Sequence, residues 1–377
     1  MSKIDGIALA KYTGTDLNLK ATYSDGTYTS GDTTYTITSM EAMGGNTTIE
    51  TVEMPSTVTS LPWNCFGGCT SLTTVSFPGI TTLPNNCFDG CTALTSFSFT
   101  GIKTIGSLAF YNCSKLTDIT IPSGATVGLK AFQNCTALTK LTIQEGATVG
   151  ERAFQYCKGL KGVLTIPKGT YYNRVFDGCE NVTDLFIHTG VYIKDRWNGH
   201  GCFGSMPSVT NVTLIDDGDH TIPAYLFGCA SFKDGVTLTI PSDITGIGDY
   251  AFYSANFPTK LDLSSQFTSY GASAFEDNSA FKGNNGDGII AVQKPKSATS
   301  DVKVDSKAFW STGATEIDIY PDVDYSDVDQ HQQINIMLLE MALTMVQISI
   351  PLNLQTESLP YPTICSCMPR TFLLLVQ

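Results

Sequence analysis

A 22-residue repeat runs through most of this chain and limits the folds that it can adopt. Its marker is a phenylalanine, found at Phe66, Phe88, Phe110, Phe132, Phe154 and Phe176. A cysteine stands three residues after each marker, at Cys69, Cys91, Cys113, Cys135, Cys157 and Cys179, and a branched apolar residue stands six after it. A fixed period of this length indicates a solenoid, in which each short unit buries its apolar residues against its neighbours.

Each repeat predicts one coil with a strand and a short helical turn. Two apolar residues that follow the marker by nine and eleven positions, such as Ile119 and Ile121, alternate with polar residues as in a strand. The Phe-x-x-Cys-x-x-Leu step recurs every three residues, which favours a 3₁₀ or α turn. Stacked coils would then align their strands in a parallel sheet, about 4.8 Å apart.

Two segments, AFYNCSKLTDITIP (109–122) and AFQNCTALTKLTI (131–143), resemble the BspA-like class of leucine-rich repeats. The resemblance covers roughly residues 47–320. It implies an α/β-type solenoid that is mostly β: a curved leucine-rich-repeat stack with a parallel β-sheet on the concave face and short helical turns opposite. It also implies an extracellular or cell-surface location and a role in adhesion.

The repeat divides the chain into three predicted parts. Residues 1–46 lack it, and their Thr- and Tyr-rich alternation indicates β-hairpins that serve as an N-terminal cap or an attachment segment. Residues 47–320 hold about 11 coils of 22–34 residues, with a one-residue slip of the strand predicted at Gly162. Residues 321–377 contain a helix-like run (334–346) that is too short to span a membrane, and they form either a cap or sequence foreign to the fold.

The net charge and the N-terminal residues indicate which binding partners and which cellular location to expect. The net charge of −13 argues against nucleic acid and anionic membranes as partners. The N-terminus has no apolar run of signal-peptide length. The protein is therefore either not exported by that route or already cleaved, and a cytoplasmic location stays open beside the cell surface.

The cysteines of the repeat are predicted to be buried thiols. Alanine or methionine takes their position in later coils, as at Met206, Ala230 and Ala255, so the site requires a small or apolar side chain. Disulfides between adjacent coils are the alternative. The exchange with alanine argues against a zinc site.

No catalytic or cofactor-binding motif is found in the sequence. The four histidines have no partner at metal-ligand or triad spacing, and neither a nucleophile elbow nor a dinucleotide fingerprint is present. The acidic clusters at 216–219 and 322–329 do not match a calcium loop and are interpreted as solvated turns. We therefore predict a protein that is not an enzyme and holds no metal or cofactor.

The candidate binding residues follow one outward-facing row on the strands. The row consists of Ser76, Ser98, Thr120, Thr142, Thr165, Phe186, Thr213 and Thr239. Asp184 flanks the row, His188 lies one step along from Phe186, and Trp197 lies in the insertion that follows. Threonine is a good residue for a solvated strand, so the row has a purely structural interpretation as well. An exposed aromatic cluster at Phe186 and Trp197 would be the best binding hot spot.

These observations favour a non-enzymatic binding or adhesion protein of the cell surface, with a protein or glycan ligand on the open face of the sheet. A structural spacer or assembly subunit, in a surface layer or a virion appendage, is the main alternative. An intracellular scaffold is a third hypothesis.

Overall fold

The computed structural model describes residues 39–194, 199–263, 265–296, 298–299 and 301–319, and the backbone of short strands at 16–18, 27–30, 33–36 and 323–324. Strands β1 to β13 are Asp16–Asn18, Thr27–Ser30, Thr33–Thr36, Thr51–Glu53, Thr74–Ser76, Thr82–Leu83, Thr104–Ile105, Asp118–Ile121, Thr126–Val127, Lys140–Ile143, Ala147–Val149, Lys161–Ile166 and Gly169–Tyr171. Strands β14 to β26 are Asn181–His188, Val191–Ile193, Ser205–Met206, Asn211–Ile215, Thr221–Ile222, Ser231–Phe232, Thr237–Thr239, Gly246–Ile247, Ser269–Tyr270, Ile289–Val292, Val302–Val304, Glu316–Ile319 and Val323–Asp324.

The described coils form a solenoid of parallel strands, as the repeat predicts. Most coils contribute to two sheets, whereas the repeat predicted one. At the strand position that the repeat predicts, four separate sheets follow one another along the chain and are named here together the first sheet: β1-β4-β5, β8-β10, β12-β14-β17-β20 and β23-β25. Two further sheets, formed by short strands elsewhere in the coils, are named here together the second sheet: β6-β7-β9-β11-β13-β15 and β18-β21-β22-β24-β26. Strands β16 and β19 form a separate two-stranded sheet. The pairing in the regular coils joins residues one repeat apart, such as Leu141 with Ile119 and Val149 with Val127.

The core consists of columns of equivalent side chains. Phe132 is fully buried, and its ring centroid lies 5.1 Å from those of Phe110 and Phe154, with the rings nearly parallel. The cysteines and leucines of the repeat are buried in the same way. These shared columns confirm the stacking that the repeat predicts.

The ten cysteines in the described ranges carry thiols, and nine of them are buried. In five coils the thiol three residues after the marker donates to the carbonyl oxygen of the residue 25 positions earlier, which is a marker phenylalanine. The distances are 3.1 Å for Cys91 to Phe66, 3.1 Å for Cys113 to Phe88, 3.3 Å for Cys135 to Phe110, 3.2 Å for Cys157 to Phe132 and 3.3 Å for Cys179 to Phe154. The thiol therefore fills space in the core and also donates a hydrogen bond to an earlier coil.

The helical turns expected opposite the sheet are not found in the described coils. On that side the backbone donors alternate between two destinations. Leu108, Phe110 and Asn112 donate to the next coil, at Leu129, Ala131 and Gln133, whereas Ala109, Tyr111 and Cys113 donate three residues back. A helix needs every donor to be satisfied locally, and the positive φ of Leu108 and Asn112 also interrupts helical geometry. The spacing of three thus reflects turns in which alternate backbone amides donate hydrogen bonds to the next coil.

The predicted slip at Gly162 is confirmed. The register between β12 and β14 shifts between Gly162 and Val163, and Gly162 adopts a φ of +70°. After the shift Leu164 and Ile166 are buried, while Val163 is 62% exposed.

One strand near each end continues these sheets. The backbone of β1 pairs in parallel with β4, and that of β26 with β24. Strands β2 and β3 form a separate antiparallel hairpin. The use of residues 1–46 as a cap stays a prediction. The helix-like run at 334–346 lies outside the described residues, as does most of the acidic cluster at 322–329.

Candidate binding surface

The register of the first sheet aligns most of the predicted row. It pairs Glu53 with Ser76, Thr120 with Thr142, Thr165 with Phe186, Phe186 with Thr213, and Thr213 with Thr239. Paired residues of neighbouring parallel strands point to the same face, about 4.8 Å apart. Ser98 does not lie on a strand as predicted, because residues 95–99 form no strand. Its Oγ lies 3.4 Å from Thr100 Oγ1. The row is therefore divided into separate pieces.

The threonine hydroxyls of this row are directed to solvent. In the part of the chain that the structure describes, Thr120, Thr142 and Thr165 are exposed and make no side-chain hydrogen bond to protein. A neighbouring column behaves differently, since Thr117 Oγ1 and Thr139 Oγ1 each reach the carbonyl of the preceding coil, at 3.4 and 3.3 Å. The two columns separate structural hydroxyls from hydroxyls that are available to a ligand.

Phe186 interrupts the hydroxyl row near its centre. The side chain is half-buried in β14 and lies between Thr165 and Thr213 in register. Asp184 is two residues earlier on the same face, and its carboxylate accepts hydrogen bonds from Thr183 Oγ1 at 2.6 Å and Asn211 Nδ2 at 2.7 Å. These hydrogen bonds lower the pKa of Asp184 and keep it charged beside Phe186.

His188, at the end of the same strand, is held by a buried carboxylate. Its Nδ1 lies 3.0 Å from Asp217 Oδ1, which also accepts from Lys168 Nζ at 3.3 Å. The other oxygen, Oδ2, accepts from the Gly190 amide at 3.0 Å. The Asp217 side chain is only 9% exposed, so these bonds fix the loop that follows β14.

Asp216 fixes the loop that follows β17. Its Oδ1 accepts from the amides of Gly218 and His220, at 3.2 and 3.1 Å, and its Oδ2 lies 2.7 Å from His220 Nδ1. Asp216 and Asp217, named here the carboxylate clamp, are thus not the solvated turn that the sequence predicted. Parallel pairing of β14 with β17 brings the two loops together and encloses both carboxylates.

The carboxylate clamp is expected to weaken as the pH falls below the ordinary carboxyl pKa of about 4, and to open once the pH passes the lower pKa of the folded protein. Burial alone would raise the pKa of each carboxyl, but the hydrogen bonds outweigh it and the net pKa of both groups is lowered. A group whose pKa is lowered by folding stabilises the protein at pH values above its unfolded pKa. This stabilisation is lost as the pH falls through the folded pKa. Hydrogen-exchange protection of the Gly190 and His220 amides should fall in that window. In Asp217→Asn the Gly190 amide should lose this pH dependence, and an unchanged profile would contradict the assignment.

Trp197 lies outside the described residues, so the predicted aromatic cluster with Phe186 stays a prediction. Within the described ranges, no group of three His, Cys, Asp or Glu side chains is placed to hold a metal ion. Those ranges also contain no helix of the length and apolarity needed to cross a membrane.

A second outward row was missed by the sequence analysis. It lies on the second sheet and consists of Thr82, Thr104, Thr126, Thr148, Thr170 and Tyr192, all paired in register. Tyr192 is 53% exposed and ends the row in the same coil that carries Phe186. The signal was present, because these residues also recur every 22 positions, but strands of two or three residues have no clear alternation.

Comparison with known proteins gives one family. The model described as the BspA type leucine rich repeat region matches in six copies, over residues 38–161, 103–228 and 196–285. No curated protein matches significantly. A crystal structure of a leucine-rich repeat protein from Bacteroides ovatus ATCC 8483 is 18% identical, with a TM-score of 0.42, and the match covers 83% of this chain and 82% of that chain. A leucine rich cell surface protein from Faecalibacterium prausnitzii A2-165 is 18% identical, with a TM-score of 0.37, covering 89% and 92%.

Proposed function

Because this chain belongs to the BspA-type leucine-rich repeat family, we propose that it is a non-enzymatic binding protein whose first sheet holds a partner protein. We extend the proposal to adhesion at the cell surface, which rests on the family resemblance. Repeat solenoids commonly bind partners on extended sheet faces, because many equivalent side chains point the same way.

Phe186 is the observation that supports this proposal. It is an aromatic side chain, half-buried, set among hydroxyls that make no hydrogen bond to described protein groups. Interface energy is concentrated in a few aromatic anchors that are surrounded by polar contacts. Asp184 and the carboxylate clamp hold the groups on both sides of Phe186 in place, which lowers the entropy cost of binding.

Replacing Phe186 with alanine is expected to weaken partner binding by about 30-fold, the loss typical of an interface hot spot. The probes are immobilised extracellular-matrix proteins and a glycan array, with affinities then measured by surface plasmon resonance. Trp63→Ala is the matched control, because it removes an aromatic side chain that is 65% exposed in a turn outside the first sheet, and it should change affinity little. The thermal midpoint of both variants shows whether the fold is retained.

Two outcomes would oppose the proposal. Full retention of binding in Phe186→Ala would remove this surface as the binding site. Absence of any bound partner, together with concentration-dependent self-association in sedimentation velocity, would favour the spacer or assembly subunit instead.

A further inference from the structure

Three apolar side chains face outward on neighbouring strands of the first sheet. Val163 on β12 is 62% exposed, whereas Phe186 on β14 and Ile215 on β17 are half-buried. Single apolar side chains on a surface are common and need no function, but a contiguous group of them indicates an interaction site. Whether these three are contiguous depends on the register of the strands.

The register places the three residues on one diagonal line, named here the apolar diagonal. Thr165 pairs with Phe186, so Val163 lies one strand across from Phe186 and two residues back. His188 pairs with Ile215, so Ile215 lies one strand across from Phe186 and two residues forward. Strands about 4.8 Å apart, with a rise of about 3.3 Å per residue, separate neighbouring members of this line by roughly 8 Å. The apolar diagonal is therefore continuous, and its ends lie about 16 Å apart.

The apolar diagonal does not follow from the repeat. The equivalent outward positions on β8 and β10 carry polar residues: Asp118, Thr120, Lys140 and Thr142. Val163 faces outward because the register shift at Gly162 exchanges the inward and outward positions. Threonine is also β-branched and suits a solvated strand as well as valine does. Strand propensity therefore does not explain an exposed valine at this place, whereas contact with another molecule would.

A fixed negative charge borders the apolar diagonal. Asp184 pairs in register with Val163 and with Asn211, on the same outward face. Its carboxylate accepts hydrogen bonds from Thr183 Oγ1 and Asn211 Nδ2, which hold it in place. A partner that covers Val163 must therefore set a cation or a hydrogen-bond donor beside this carboxylate. The net charge of −13 also favours a basic partner.

We propose that the apolar diagonal binds an amphipathic α-helix of a partner protein, with basic residues beside the apolar face of that helix. The inference rests on the function proposed above for the first sheet and adds the class of partner. A helix rises about 1.5 Å per residue, so its apolar residues at positions i, i+4, i+7 and i+11 span about 16 Å on one face.

Backbone hydrogen bonding favours a helix over an extended segment. The backbone groups of β14 already pair with β12 and β17, so the face of the sheet offers none to a chain that lies across it. An extended partner would bury its own amides and carbonyls without partners, whereas a helix satisfies them internally. The side chains of the apolar diagonal then supply the contact.

The test is selection from two display libraries against the full chain, followed by surface plasmon resonance with the enriched peptides. One library encodes helical peptides of about 16 residues, which form four turns, and the other encodes proline-containing extended peptides of the same length. We expect enrichment of helical peptides with the apolar spacing given above and with Lys or Arg beside it. Val163→Thr and Ile215→Thr should each weaken their binding about tenfold, because each removes apolar area from the contact. Leu129→Thr is the matched control, since it changes an aliphatic side chain that is 41% exposed in a turn outside the first sheet.

Asp184→Asn tests the charge beside the apolar diagonal. The substitution keeps the shape of the side chain, and it should remove most of the salt dependence of peptide binding. Replacing the basic residues of an enriched peptide with Glu should weaken its binding to the unchanged protein at least about tenfold. Equal binding of the basic and acidic peptides would contradict the proposed basic helix.

The outcomes separate this inference from unfolding and from the proposed function. The thermal midpoints of Val163→Thr and Ile215→Thr should stay close to that of the unchanged protein. If Phe186→Ala weakens binding of a matrix protein while these two variants do not, the proposed function stands and the helix inference is overturned. Unchanged binding in all three variants would overturn both. Enrichment of extended peptides alone, or self-association that Val163→Thr abolishes without any peptide binding, would overturn the assignment to a helix.

Discussion

Replacing Phe132 with alanine is expected to lower the free energy of unfolding by about 3–5 kcal/mol, the usual cost of a large cavity in a packed core. The ring is fully buried between two parallel neighbours at 5.1 Å, so neither coil can close the gap without losing its own contact. Because a solenoid coil is stabilised mainly by its neighbours, the damage should spread along the stack.

Denaturant unfolding followed by circular dichroism measures this change, and hydrogen exchange shows how far it spreads. Val163→Thr is the matched control: the side chain is 62% exposed on β12, and the exchange keeps β-branching, so a change within about 0.5 kcal/mol is expected. A loss below about 1 kcal/mol for Phe132→Ala would contradict the shared core column.

The second large effect concerns the thiols. Burial raises the pKa of Cys69 to about 11, and it also raises the pKa of Cys113, Cys135 and Cys157 well above the ordinary thiol value. For Cys69 the thiolate fraction at neutral pH is then about 100-fold lower than for an ordinary cysteine, because each pKa unit is a factor of ten. Since the thiolate is the reactive form, the buried cysteines should be alkylated at least about 100-fold more slowly in the native protein than in guanidinium.

Mass spectrometry of each cysteine after timed alkylation provides the measurement. Cys229, the half-buried thiol, serves as an internal reference and should react before the buried set. Rapid modification of Cys135 under native conditions would contradict this account, as would a disulfide between Cys91 and Cys113. Because the folded pKa is raised, the stability from neutral thiols is complete below the ordinary thiol pKa and is lost as the pH rises through the folded value.

The core could be predicted from the sequence because one spacing repeats in it. Phe110, Cys113 and Leu116 recur with the same period, and a period of 22 has few physical solutions. Even the slip at Gly162 was visible, since the apolar residues after it change places by one position. These predictions depend only on which residues must face inward.

The surface was harder to predict, because its partners are set by register. The contact between His188 and Asp217 joins residues 29 positions apart and exists only once β14 and β17 are aligned. The turn beside Phe110 was misinterpreted as helical, because a spacing of three does not reveal whether a backbone donor turns back or reaches the next coil.

The alternating backbone bonds of the turn segments have a consequence for how such a chain can evolve. Each coil offers its successor the same pattern of donors that it meets in its predecessor, as Phe110 and Phe132 do with Ala131 and Ala153. Duplication or deletion of a whole 22-residue unit therefore leaves no bond unmatched, whereas smaller changes need a bulge such as that at Gly162. Every added unit also copies its outward side chains. The length of the surface and the number of equivalent sites on it then increase together. Many weak contacts can therefore give strong overall binding through avidity, without a new kind of site.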